Sequence, residues 1–271
     1  MKALRSVATK HPLWFALSAT VVWFVLSLVF VGIASSALGR PYGDATTGTV
    51  SRLAVTACVL VLLWRLGWLK AAGVARLGRW RAWLLALAGT LYFASASLYA
   101  FYGEGGFSIL ARMAASGAWM TIVTQLGVAL SEEILFRGLV LYALIRAWGD
   151  SARGKIGGVA LTSLLFAGLH LTNVFAYGVS LPAASFLTLE TFVVSVWWGA
   201  LVLLGGSIWP AVMLHFVVNA VVALQGLSRP MVEPDILAYS RVLWFSLPLG
   251  VLGIGLLLRA APSLTLARAT D

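Results

Sequence analysis

The 271-residue chain has little charge and almost no cysteine. Asp, Glu, Lys and Arg make up 10% of it, whereas about a quarter of a typical soluble domain is charged. Hydrophobic residues make up 61%, and the mean hydropathy is +0.96. The one cysteine, Cys58, excludes an internal disulfide framework and a cysteine-based zinc site, and we expect it to be a small buried side chain. The composition predicts a single integral membrane domain over residues 1–271.

Acidic residues are scarce as well. Nine Asp and Glu stand against 19 Lys and Arg, which gives a formal net charge of +10. A basic protein can bind nucleic acid, but these cations fall mostly in short segments between apolar runs. Membrane topology and anionic headgroups account for cations in such segments. We therefore predict membrane lipid as a partner, and no nucleic acid.

Apolar runs of spanning length recur about eight times. A span needs about 20 mostly apolar residues. The runs lie near 13–36, 53–69, 82–102, 117–146, 156–174, 184–205, 207–226 and 240–259. The first is too long for the apolar region of a signal peptide, about 7–15 residues, so we predict an uncleaved span. The predicted fold class is an all-α polytopic membrane protein with about eight transmembrane helices.

The distribution of Lys and Arg predicts the orientation. With the N-terminus in the cytoplasm, thirteen of these residues lie on the cytoplasmic side, five lie on the other side, and Arg137 lies within a span. Both termini are therefore predicted to be cytoplasmic, with a tight turn at residues 205–207 on that face. Fifteen Arg against four Lys, with abundant Ala, Gly and Trp, suggests a GC-rich bacterial genome. The predicted location is a bacterial plasma (inner) membrane.

The run near 117–146 contains three charged residues, Glu132, Glu133 and Arg137, in the sequence S-E-E-I-L-F-R. Each charge costs roughly 2.5–3.5 kcal/mol at bilayer depth, so we interpret them as functional. Glu133 and Arg137 are four residues apart with the acid first, the favourable order for a helical ion pair. Glu132 points about 100° away and lacks an obvious local partner, which makes it a candidate general base. The alternative is that both glutamates are structural partners of Arg137.

Two of the three histidines lie inside predicted spans. Phe166 and His170 form F-A-G-L-H, and His215 and Asn219 form H-F-V-V-N. At about 1.5 Å per helical residue, His170 and Glu132 lie at similar depth. His215 and Asn219 share a helix face and can both donate hydrogen bonds, as an oxyanion hole requires. A polar contact between helices is the simpler interpretation of that pair.

Another buried acid, Glu190, lies in the run 184–205. We interpret it as the partner of a histidine or a hydroxyl group. The alternative is that it supports His170 or His215 as an outer hydrogen-bond partner.

These residues favour hydrolysis over other chemistry. No aspartate lies in a span, which excludes a Ser-His-Asp triad, and the sequence has no H-E-x-x-H zinc helix and no phosphate-binding loop. Water activated by glutamate, with or without a metal, and a peptide or other acyl bond fit best. A proton-coupled transporter is an alternative, although we see no internal repeat. A non-catalytic scaffold or immunity protein is another.

Three short motifs occur in order: E-E-x-x-x-R at Glu132, Glu133 and Arg137, F-x-x-x-H at Phe166 and His170, and H-x-x-x-N at His215 and Asn219. Together they resemble the CAAX protease and bacteriocin-processing (CPBP, or Abi) family of intramembrane endopeptidases. The resemblance covers a core of about 117–225, and the family's eight spans agree with the number predicted here.

The resemblance implies that Glu132 and His170 activate the attacking water. It implies that His215 and Asn219 stabilise the oxyanion, with Glu133, Arg137 and Phe166 in supporting roles. It leaves two mechanisms open. One is metal-free, and the other uses zinc held by Glu132, His170 and His215. The implied substrate is a membrane-associated or lipid-modified protein or peptide. Removal of the last three residues from prenylated proteins is an activity of relatives, not the reaction predicted for this chain.

Overall fold

Every regular element among the described residues is a helix, which confirms the all-α prediction. The computed structural model describes residues 1–102, 118–149, 151–226 and 236–259. The helices are α1 (Lys2–Lys10), α2 (Pro12–Leu38), α3 (Ala45–Arg65), α4 (Trp80–Tyr102), α5 (Ala118–Glu133), α6 (Tyr142–Trp148), α7 (Ala152–Gly168), α8 (Asn173–Tyr177), α9 (Leu181–Gly205), α10 (Trp209–Gly226) and α11 (Ile236–Arg259). A π-helical segment, Ile134–Leu141, joins α5 to α6, and a 3₁₀ turn, Leu169–Thr172, joins α7 to α8.

Four helical stretches are long and apolar enough to cross a membrane, judged by length and composition. They are Pro12–Leu38, Ala45–Arg65, Ala152–Ala176 and Leu181–Gly205, and Trp209–Val221 and Leu243–Arg259 are shorter apolar stretches. Many large apolar side chains on these helices are exposed, as lipid-facing residues are. All eight predicted spans fall on helices, but eight crossings stay a prediction.

Two sequence-based expectations about α3 need correction. The helix predicted near 53–69 begins earlier, at Ala45, because the Asp44 carboxylate accepts hydrogen bonds from the amides of Thr46 and Thr47. Hydropathy alone did not count this polar first turn as part of a span. The prediction that Cys58 is buried is wrong, since the side chain is exposed. In a membrane protein an apolar run gives no reason to prefer a core-facing position over a lipid-facing one.

The π segment lies at the centre of the bundle. All eight of its residues are buried, and it packs against α2, α3, α7 and α9. Glu132 and Glu133 end α5 immediately before it, and Arg137 lies within it. A π segment inside an α-helix is rare and is found mostly at functional sites. The fold thus places the three charged side chains where four other helices can reach them.

The turn predicted at residues 205–207 is present. Gly206 ends α9 with a φ of 66°, and the loop before α4 packs onto it. Ser207 Oγ donates to the carbonyl of Arg76 at 2.6 Å, and the amide of Arg79 donates to the carbonyl of Gly205 at 3.0 Å. A Cβ on Gly73 would lie 2.7 Å from the Cα of Ser207. This close packing of backbone on backbone fixes the end of α9 relative to α4.

Gly73→Ala is expected to lower stability more than Gly39→Ala. Both glycines have positive φ, 78° and 61°, so both substitutions carry the left-handed penalty of about 1–2 kcal/mol. A Cβ at Gly39 meets nothing within 4 Å, whereas at Gly73 it meets backbone. The extra crowding should cost about 1–3 kcal/mol. Midpoints of thermal unfolding in detergent measure the difference, and equal midpoints would contradict the packing described.

Candidate active site

Glu133 and Arg137 form the predicted ion pair. Arg137 Nη1 lies 3.0 Å from Glu133 Oε1, and the two side chains are 1% and 0% exposed. The Arg137 guanidinium also reaches α9, where its Nη2 donates to Ser195 Oγ at 2.7 Å. Charge buried this completely is costly unless it is paired and hydrogen-bonded, and these contacts supply both.

Two aromatic rings also flank the Arg137 guanidinium. Its carbon lies 4.8 Å from the ring centre of Phe166 and 5.3 Å from that of Trp198. The faces of aromatic rings attract cations, and the attraction is stronger where water is excluded. Arg137 is therefore held by a carboxylate, a hydroxyl and two π faces from α5, α7 and α9.

His215, on α10, is bonded at both ring nitrogens. Nδ1 lies 2.9 Å from Glu133 Oε1, and Nε2 lies 3.0 Å from Asn219 Nδ2. A carboxylate only accepts hydrogen bonds, so Nδ1 carries the proton and Nε2 accepts from the Asn219 amide. Glu133 thus has a second partner that local spacing did not predict, because His215 comes from a distant helix.

The second glutamate, Glu132, has a different environment. Its Oε2 lies 3.7 Å from His215 Nε2, beyond hydrogen-bond range. The Glu132 side chain is 14% exposed, whereas that of Glu133 is completely buried. The expectation that Glu132 lacks a partner on its own helix agrees with these contacts, but His215 lies next to it. Of the two carboxylates, Glu132 is the one that water can reach.

His170 lies where α7 tightens into the 3₁₀ turn. Its Nδ1 is 3.3 Å from the carbonyl oxygen of Phe166, and its ring meets the Phe166 ring edge to face at 5.3 Å. Because a carbonyl only accepts, Nδ1 donates and Nε2 keeps its lone pair. His170 interacts electrostatically with Glu132 and His215. The structure therefore brings together the acid, both histidines and Asn219 from three helices.

The residues suggested as zinc ligands are not arranged as a metal site. Within the described ranges, no group of three or more His, Cys, Asp and Glu side chains is placed to hold a metal ion. Both nitrogens of His215 are engaged, with Glu133 and Asn219. Coordination by His215 would require one of these bonds to break. Glu132, His170 and His215 as placed here do not fit a zinc ion.

Residues 114–221 match the family model of the Type II CAAX prenyl endopeptidase Rce1-like proteins. The match covers 108 of the 271 residues and supports the resemblance to the CAAX protease family. No curated protein and no solved structure matches the chain. The family is one of peptidases, so it indicates a protein or peptide substrate, and the apolar helices indicate a membrane protein. The matched segment contains Glu132, His170, His215 and Asn219.

Sequence reasoning missed two side chains of this cluster, Ser195 and Trp198. They are three residues apart on α9 and meet Arg137 from one face of the helix. The only local signal was a small polar residue three positions before a tryptophan in an apolar run. Glu190, also on α9, accepts a hydrogen bond from Ser246 Oγ at 3.1 Å. The interpretation of Glu190 as the partner of a hydroxyl group is confirmed.

Arg137→Met is expected to destabilise the protein by about 3–5 kcal/mol, because it leaves the Glu133 carboxylate buried without its cation. The double variant Glu133→Gln/Arg137→Met removes both charges and should be less destabilised than Arg137→Met alone. Thermal unfolding in detergent, run on both variants and on each single variant, measures the coupling. Additive effects would show that the pair contributes nothing to stability.

Proposed function

We propose that this protein is an intramembrane endopeptidase that hydrolyses a peptide bond of a membrane-associated or lipid-modified protein or peptide. The proposal rests on the different environments of the two adjacent glutamates. Glu133 is fully buried and bonded to Arg137 and His215, while Glu132 is partly exposed and faces His215 Nε2 across 3.7 Å. One carboxylate holds the site together, and the other is available to water.

In the proposed reaction, Glu132 and His170 bind the attacking water. The Glu132 carboxylate accepts a proton as the water oxygen bonds to the substrate carbonyl carbon. The lone pair on His170 Nε2 accepts a hydrogen bond from the second O–H of the water and orients the molecule. When the C–N bond breaks, the proton on Glu132 passes to the leaving amine. The proton is thus returned, and no other reactant is required.

Asn219 and His215 stabilise the oxyanion. The Asn219 amide has two N–H groups, of which one bonds to His215 Nε2, and the other is available to the oxyanion. Neutral His215 accepts at Nε2, so it is a donor there only while it holds the water proton, which Glu132 Oε2 passes across 3.7 Å and takes back before the C–N bond breaks. The Glu133 carboxylate at Nδ1 then balances the positive charge. Glu133 and Arg137 support this arrangement without touching substrate.

The substrate approaches from the His170 side in this proposal. A Cβ added at Gly168, two residues before His170, would meet no heavy atom within 4 Å. An extended peptide can therefore come close to the backbone there. The proposal also includes eight spans and an active site at membrane depth, which rest on the apolar helices. It places both termini in the cytoplasm of a bacterium, with the protein in the plasma membrane, which rests on the Lys and Arg distribution and the composition.

Glu132→Gln is expected to lower kcat by about 10²-fold to 10⁴-fold, because the amide cannot accept the water proton. The protein should still fold, since Glu132 makes no buried ion pair with Arg137. The measurement is cleavage of a fluorogenic peptide library by protein reconstituted in lipid. Glu190→Gln is the matched control, since this acid lies outside the site and bonds to Ser246.

Full activity in Glu132→Gln would exclude the proposed base. Loss of activity in Glu190→Gln as well would indicate a general effect of replacing an acid within the bundle. If the wild-type protein cleaves no peptide, the scaffold and transport alternatives gain support.

Cleavage is expected to survive removal of metal. Both His215 nitrogens are engaged within the protein, so His215 has no free nitrogen to offer a zinc ion. Peptide cleavage after dialysis against a chelator, together with metal content by mass spectrometry, tests this. Stoichiometric zinc, with activity lost to the chelator and restored by zinc, would overturn the expectation.

A further inference from the structure

Trp198 makes a contact with His215 that the proposed chemistry does not use. The indole stacks on the imidazole with ring centres 4.3 Å apart and planes 23° from parallel. Trp198 is 4% exposed, so no solvent competes for the face of the imidazole. No motif in the sequence contains this residue. Its position raises the question of what the ring contributes to His215.

The hydrogen bonds of His215 do not by themselves fix the plane of its ring. Nδ1 bonds to Glu133 on one side, and Nε2 bonds to Asn219 on the other. Two bonds on roughly opposite sides of a ring define an axis, about which the imidazole can still rock. An indole stacked at 4.3 Å blocks that motion on one side. Phe166 meets the His215 ring nearly perpendicularly at 5.9 Å and adds a second boundary.

Trp198 is itself held by the buried charge cluster. The Arg137 guanidinium carbon lies 5.3 Å from the indole centre, and the Phe166 ring lies 6.1 Å away. Arg137 in turn is tied to Ser195, one turn before Trp198 on α9. The ion pair, the indole and the imidazole form one stack from α5 through α9 to α10.

We propose that Trp198 is a positioning residue that fixes the ring plane of His215 for the oxyanion step. The inference rests on the proposed peptidase function. The direction in which Nε2 points decides whether the oxyanion meets His215 and Asn219 together. Donors must lie about 2.7–3.1 Å from the developing charge. Trp198 touches no reacting atom and acts through His215 alone.

Trp198→Leu is expected to lower kcat about tenfold to 100-fold with little change in KM, because small displacements of catalytic groups cost up to about 100-fold. Trp198→Phe keeps an aromatic face on His215 and should recover most of the activity. Trp197→Leu is the matched control. Trp197 is 1% exposed; its indole nitrogen faces Gly89 on α4, and its backbone packs against Gly253 on α11.

A second measurement does not depend on turnover. The chain has only three histidines, so spectra of protein labelled at histidine are simple to assign. The ring current of Trp198 should shift the His215 ring protons. Trp198→Leu should move these resonances and leave those of His11 unchanged, whereas Trp197→Leu should leave His215 in place.

The outcomes separate the two proposals. Unchanged kcat in Trp198→Leu beside an active wild-type protein would overturn the positioning role, as would equal losses in Trp197→Leu. Failure of Trp198→Phe to recover activity would also count against it. An inactive wild-type protein would refute the peptidase function. In that case a moved His215 resonance in Trp198→Leu would still show that the indole stacks on the imidazole, but the inferred role of Trp198 in catalysis would be refuted.

Discussion

The site depends on one carboxylate oxygen. Glu133 Oε1 lies 3.0 Å from Arg137 Nη1 and 2.9 Å from His215 Nδ1, so it joins the π segment to α10. Everything else in the cluster is arranged around this junction. Ser195 and two aromatic rings hold the Arg137 guanidinium, and Asn219 completes the bonds of the histidine. Except for Asn219, which is partly buried, the partners are fully buried or nearly so, and their contacts are little weakened by water.

The junction explains why two consecutive glutamates can serve different purposes. Successive residues point about 100° apart on a helix, so one acid turns into the cluster while its neighbour turns away. Glu133 is bonded and closed to solvent, and Glu132 keeps some exposure. A base that must bind water and give up a proton requires the second environment, whereas a group that positions a histidine requires the first.

Sequence alone predicted the local parts of this arrangement. The Glu133–Arg137 pair follows from four-residue spacing, and the glycines at 205–206 predict the turn. The contacts of Ser195 and Trp198 could not be predicted this way, because they join helices far apart in the chain and lie in an apolar run without charge. The hydrogen bond between His215 and Glu133 was not predicted for the same reason. Hydropathy also missed the polar first turn of α3, since it ignores how Asp44 caps that helix.

The proposed mechanism gives the buried pair a chemical role beyond stability. Apolar residues of similar volume often stabilise a core as well as a buried ion pair does, so stability alone does not account for Arg137. A protonated Glu133 could donate to Nδ1, and His215 would then carry its proton on Nε2. The ionised Glu133 of the ion pair with Arg137 can only accept. The pair therefore goes with the His215 tautomer that carries its proton on Nδ1. That tautomer leaves Nε2 able to accept from Asn219, and this bond holds the Asn219 amide where the proposed oxyanion step requires it.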